Sequence, residues 1–271
     1  MLGKLIKREW TSNYKGLLLL HAGLLLLCTI GHFILAPYVH SAIANSNDVS
    51  VSSAPYMILM TAYILAIIAV SFATQLIMVF RYYRTMYGKE GYLTHTLPVT
   101  PVQILFSKGL IFFVWYVIDF AVIIVSACLL FSASPFQAEL LTYVDDLAAH
   151  MGISTGFLYG FVIGYMILAI IYAISMFYCS VNIGCLFHTH KIVASIVTYF
   201  LIYIVTQILS TIILMCTSYF PNVLNASNQS SPYPPDGFKD IFGYTGILSV
   251  VLCIVFITVS GYISSRKLNL D

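Results

Sequence analysis

The chain reads as an all-α integral membrane protein: six transmembrane helices, both termini in the cytosol, and an amphipathic N-terminal interfacial helix. Three observations predict this. Of 271 residues, 60% are hydrophobic and only 8% charged, where a soluble domain carries about 25% charged residues. Mean hydropathy is +0.94. The apolar runs are apolar on every side for about 20 residues or more, whereas barrel strands alternate in and out over about ten. In lipid every backbone polar group must be satisfied internally, and a helix does this within one segment.

The first element is residues 1–15. Leu2, Leu5, Ile6 and Trp10 recur at helical spacing, while Lys4, Lys7 and Arg8 take other angles. That pattern predicts a helix lying in the inner interface, Trp down and cations toward lipid phosphates. Residues 16–264 form the six-span domain, with spans at 16–39, 55–80, 109–133, 155–180, 192–217 and 244–264. Each is long enough to cross a hydrocarbon core of about 30 Å. The run "LLLLHAGLLLLC" is read as an uncleaved first span, since Glu9 and Trp10 precede it and no small-residue cleavage site follows.

Between the spans lie a cytosolic loop, 81–108, and outer loops, 134–154 and 218–243; residues 265–271 form a basic tail. Eleven of the twelve Lys and Arg residues fall on the side of the termini, with Lys239 alone opposite. The positive-inside rule therefore places both ends in the cytosol. In the first outer loop, Leu140, Leu141, Val144 and Leu147 predict a short surface helix. The second holds N-x-S triplets at Asn225 and Asn228, which carry glycans only in a secretory pathway. The six cysteines show no paired spacing and read as free thiols.

One segment interrupts this apolar chain more than any other: "MYGKEGYLTHTLPVTPVQILFSKGL", residues 86–110. Gly88 stops the helix of span two. Thr100, Pro101 and Gln103 form a helix start, with Thr as cap, Pro at the first position and Gln able to return a bond to the cap. Between them "KEGYLTHTL" can form one short crosspiece. On residues alone, the segment is a polar hairpin joining two spans.

The run "YGKEGYLTHTLPVTPVQILFSK" resembles a recurring segment of ABC-type exporter permeases of Gram-positive bacteria, and the ending "SSRKLNLD" is similar to that family's basic tail. The resemblance implies the compact exporter-type ABC permease fold, a homodimer or a heterodimer with a related permease, and separate ABC ATPase subunits. ATP and Mg would sit on those partner subunits, with no cofactor on this chain. It also implies that Glu90, Gly91, Tyr92, Leu93, Thr94 and His95 form the crosspiece that couples to the ATPase. The function expected is export of an amphipathic peptide, lipid or drug from a bacterial plasma membrane.

The residues agree that a motor must be separate. There is no G-x-x-x-x-G-K-[ST] loop, and no cytosolic segment is long enough to fold a nucleotide-binding domain. Other classes lack their residues. An intramembrane protease needs H-E-x-x-H or a second intramembrane Asp beside Asp119, and neither is present. A secondary transporter or channel is the alternative, although no proline breaks a span and a lone Asp119 is thin for ion coupling. A non-transporting immunity or sensor protein of the same fold is a further alternative. Nothing suggests a nucleic-acid partner; the lipid bilayer is the medium.

Within the spans, Asp119, Gln75, His21 and His32 are candidates to line a transport path. Asp119 reads either as such a contact or as a carboxyl satisfied by a neighbour such as Tyr116 or Gln75. His21 and His32 lie eleven residues apart, and at about 100° per residue they share a face, to within about 20°. Interior polar packing explains them more simply than a proton relay. Gly152, Gly156, Gly160 and Gly164 recur every fourth residue, a spacing that lets another helix approach closely. Cys185, His188 and His190 in "CLFHTH" offer soft ligands but define no closed metal site.

Overall fold

The computed structural model describes residues 2–44, 53–88, 90–91, 99–131, 136–187, 189–217 and 238–266. These fold into seven helices: α1 Leu2–Ala44, α2 Ser53–Met86, α3 Pro101–Phe131, α4 Phe136–His150, α5 Thr155–Gly184, α6 Lys191–Cys216 and α7 Phe238–Arg266. Among the described residues there is no strand. Six helices hold a stretch long and apolar enough to cross a membrane: Gly3–Ile34, Ile58–Met86, Pro101–Leu130, Thr155–Gly184, Lys191–Cys216 and Asp240–Ser265. Only 11–28% of the residues in their most apolar windows are buried within the protein, so most of this apolar surface needs lipid to cover it. This is a multi-pass membrane protein.

The N-terminal segment departs from expectation. Residues 1–15 are not set off from the first span; α1 continues unbroken for 43 residues, about 65 Å at 1.5 Å per residue. Gly16 alone does not break it, because an interior glycine costs only about 1 kcal/mol and no proline comes before Pro37. The buried stripe runs Leu5, Glu9, Asn13, Leu17, His21, Leu24 and Cys28. It includes polar residues, and Trp10 stacks on Trp115 with ring centroids 5.1 Å apart.

The chain divides into two compact units. The first holds residues 1–80 and 110–146. Its core is Leu24 and Cys28 of α1, Tyr63 of α2 and Leu130 of α3. A Cβ on Gly31 would meet Leu59 and Leu130 at 3.2 and 3.3 Å. The Tyr63 hydroxyl bonds to Ser126 Oγ at 2.9 Å, closing a polar pair inside this apolar cluster.

The second unit holds residues 81–109 and 147–271. Here α5 packs against both α6 and α7. Met176, Cys179 and Phe256 form the core, and Phe177 stacks on Tyr199 at 5.0 Å. The surface helix expected in the first outer loop is α4. It ends in a Schellman turn: Gly152 sits at φ +64°, Gly152 N–H reaches Ala149 O and Ile153 N–H reaches Ala148 O. Ser154 then caps α5 by accepting from Phe157 N–H.

Candidate functional site

The polar segment between α2 and α3 is held at both flanks. Gly88 follows the end of α2 because nothing larger fits: a Cβ there would lie 2.8 Å from Arg84 O. Before that stop, Tyr82 and Tyr87 both donate to Asn182 Oδ1, at 2.7 and 2.8 Å. Asn182 Nδ2 in turn donates to Ser260 O at 3.3 Å. One amide thus joins the end of α2, the end of α5 and the end of α7. Asn182 is fully buried, so its hydrogen bonds are worth more than at a wet surface. Tyr82 also stacks on Tyr178 at 4.0 Å. Burial raises the Tyr87 phenol above its ordinary value, which keeps its proton in place as a donor.

On the other flank the helix start forms as expected. Gln103 N–H donates to Thr100 Oγ1 at 3.3 Å, and Thr100 N–H donates to Gln103 Oε1 at 3.2 Å. Two turns on, buried Lys108 donates to Thr85 Oγ1 at 2.6 Å, tying α3 to α2. Between these anchors two further contacts are seen. Gly91 N–H bonds to Gly88 O at 2.8 Å, and Glu90 pairs with the exposed Arg84 at 2.8 Å. Such a pair contributes about 0–1 kcal/mol. Tyr92, Leu93, Thr94 and His95 lie outside the described residues, as do His188, Asn225, Asn228 and the last five residues of the basic tail.

The first unit contains a second polar cluster. His21 Nδ1 lies 2.6 Å from Leu17 O, and a carbonyl only accepts, so Nδ1 carries a proton. His21 Nε2 lies 3.0 Å from Asp119 Oδ1. One further proton lies between them, on either atom. The pair is therefore net neutral whichever holds it, which removes most of the penalty of a lone charge in lipid. Trp115 lies over the His21 ring at 6.0 Å. The other intramembrane candidates stay apart: Gln75 makes no hydrogen bond to Asp119, and His32 packs edge-on against Phe33. The partner of Asp119 is thus His21, in place of Tyr116 or Gln75.

Among the described residues the glycine stripe is an open face. A Cβ on Gly156, Gly160 or Gly164 would meet nothing within 4 Å, and Gly152 serves as the helix stop just described. The glycine where another helix comes close is Gly184, whose added Cβ would collide with the Ser195 backbone. In "CLFHTH", burial pushes the Cys185 thiol up to about 12, so it is held as the protonated thiol at neutral pH. Among the described residues no three His, Cys, Asp or Glu side chains gather as a metal site.

No known family, curated protein or solved structure matches the chain. The arrangement therefore speaks through its geometry. Reading the sequence missed Asn182, Tyr82, Tyr87 and the role of Lys108. One signal was available: Asn182 is a lone amide among apolar residues near a span end, where a side chain with four hydrogen-bonding positions must find partners.

Proposed function

We propose that the chain is the membrane-spanning permease subunit of an ATP-driven ABC exporter in a bacterial plasma membrane. Separate ABC ATPase subunits hold ATP and Mg, and the permease works as a homodimer or with a related permease. The chain is not itself an enzyme. Both termini and segment 81–108 face the cytosol, following the distribution of Lys and Arg. The cargo is an amphipathic peptide, lipid or drug.

One observation carries this reading: both described flanks of 81–108 are fastened by buried polar side chains. Tyr82 and Tyr87 are locked to Asn182, and Lys108 is locked to Thr85. A load applied to Glu90–His95 would reach α2, α3, α5 and α7 through these bonds. A connecting hairpin has no use for so many buried polar anchors, each of which must repay its desolvation. The test is transport and ATPase activity of reconstituted Gly91→Pro and Leu93→Asp variants. Transport falls by about tenfold or more while ATP hydrolysis and the melting temperature persist. Unchanged transport would contradict the coupling role.

The His21–Asp119 pair favours a second reading, a secondary transporter coupled to protons, because such carriers place titratable pairs within their spans. Transport that tracks an imposed pH gradient without any ATPase, and is lost in Asp119→Asn, would select it.

A further inference from the structure

Three stripes of polar side chains face one another across α5, α6 and α7. Tyr165 and Tyr172 come from α5, Tyr203, Thr206, Gln207 and Ser210 from α6, and Thr245 and Ser249 from α7. Together with Leu248 and Leu252 they line a cavity of about 250 Å³. The positions lie near the middle of α5 and α6, at the depth where lipid offers no hydrogen-bonding partner.

Five of the eight polar side chains are already satisfied, Tyr172 through a hydrogen bond with Thr206. Tyr165 bonds to Thr245 at 3.2 Å, and Thr206, Thr245 and Ser249 donate to carbonyls of their own helices. A hydroxyl that donates to its own helix leaves its lone pairs free to accept. The other three are not satisfied: the Gln207 amide and the Tyr203 and Ser210 hydroxyls make no hydrogen bond among the described residues. The lining contains no charged residue, so it offers nothing to neutralise a phosphate, carboxylate or ammonium. Tyr203 is 45% exposed, and Gln207 is exposed as well, so the cavity opens sideways toward lipid. From that mouth an apolar groove continues along α6 over Ile204, Ile208 and Ile212, sharing Tyr203 and Gln207 with the cavity.

We propose that this cavity binds the uncharged, hydroxyl-bearing headgroup of a membrane amphiphile, with its acyl chain lying in the α6 groove. The head supplies donors to the lone pairs of Ser249 and to the one left on each of Thr206 and Thr245, and acceptors to Tyr203, Gln207 and Ser210. The cavity is smaller than the usual range of drug-sized pockets, about 300–1,000 Å³, which suits a single sugar-sized head. Binding needs no ATPase, so this site stands or falls apart from the exporter reading.

The test is native mass spectrometry of the full chain in phosphatidylcholine nanodiscs, so that no glycoside detergent competes. Separate samples carry a monoglycosyl diacylglycerol, phosphatidylglycerol or free glucose. The wild type retains the glycolipid in preference to phosphatidylglycerol, and free glucose does not displace it. Gln207→Leu and Ser210→Ala each weaken retention, and together by about tenfold or more. Gln207 is exposed and Ser210 half-buried, and neither side chain makes a hydrogen bond among the described residues, so melting temperature and helix content stay unchanged. Glycolipid retention equal in wild type and the double variant, equal retention of phosphatidylglycerol, displacement by glucose, or no adduct at all would each overturn the assignment. The last result would mean that the cavity holds only water.

Discussion

At the scale of single residues, His21 and Asp119 show how two groups that are costly alone become acceptable together. Each is buried, and Nδ1 is committed to Leu17 O, so a single proton shared between Nε2 and Oδ1 closes the network. Asp119→Asn keeps a donor for Nε2 and should change unfolding stability by less than about 1 kcal/mol. Asp119→Leu leaves Nε2 unpaired and should destabilise by about 1–3 kcal/mol. The double variant His21→Leu, Asp119→Leu should lie closer to wild type than the sum of its parts, because it removes both polar groups. Thermal unfolding in detergent reads all three; strict additivity would mean that the pair does not interact. Cys185 makes a second prediction. Burial raises its thiol from an ordinary 9.0 to about 12, so the protonated form is favoured in the folded state. Its contribution to stability is therefore complete below about pH 9 and lost as pH rises toward about 12. At pH 8 it should resist maleimide in the folded protein and react on unfolding. Rapid labelling at Cys185 itself, read by peptide mass spectrometry because Cys128 and Cys216 are exposed, would contradict the burial that raises it.

At the scale of elements, the distinction between glycines is the sharpest test. Gly184 faces the Ser195 backbone, which cannot rotate aside, so Gly184→Ala should destabilise the second unit by about 1–3 kcal/mol. Gly156→Ala, Gly160→Ala and Gly164→Ala meet open space and should be neutral or stabilising by up to about 1 kcal/mol through helix propensity. Spacing alone had marked the stripe for packing, because period reveals which residues share a face but not which face meets a neighbour. The helix boundaries, by contrast, were legible. The capping box at Thr100, the stop at Gly88 and the surface helix between Phe136 and His150 all follow from local chemistry. The join between residues 1–15 and the first span was not, since an amphipathic start and an apolar continuation can form one helix as easily as two. Asn182 tests the anchoring of α2. Asn182→Leu leaves the Tyr82 and Tyr87 hydroxyls without an acceptor, and amide exchange at Tyr87, Gly88 and Gly91 should quicken while that of α6 does not. Equal protection in both proteins would show that the amide holds nothing in place.

At the scale of the whole molecule, six apolar helices were plain in the sequence because their length and composition leave lipid as the only solvent. The site was less plain. Its bonds join residues 95, 98 and 100 positions apart, and no local pattern encodes which distant polar groups will meet. Spans that are apolar all round also hide their buried face, since the hydrophobic signal that marks it in a soluble helix is absent. What did transfer from sequence to structure is the contrast between an apolar body and one polar segment, now seen to be fastened at both flanks. The proposal that this segment receives force from a soluble motor is the central claim. Its most direct test is purification of the chain from its native membrane in mild detergent, with mass spectrometry of the co-purifying polypeptides and an ATPase assay. The account predicts a stoichiometric ATP-binding subunit that is lost when residues 90–95 are replaced. A single polypeptide without ATPase activity would contradict it.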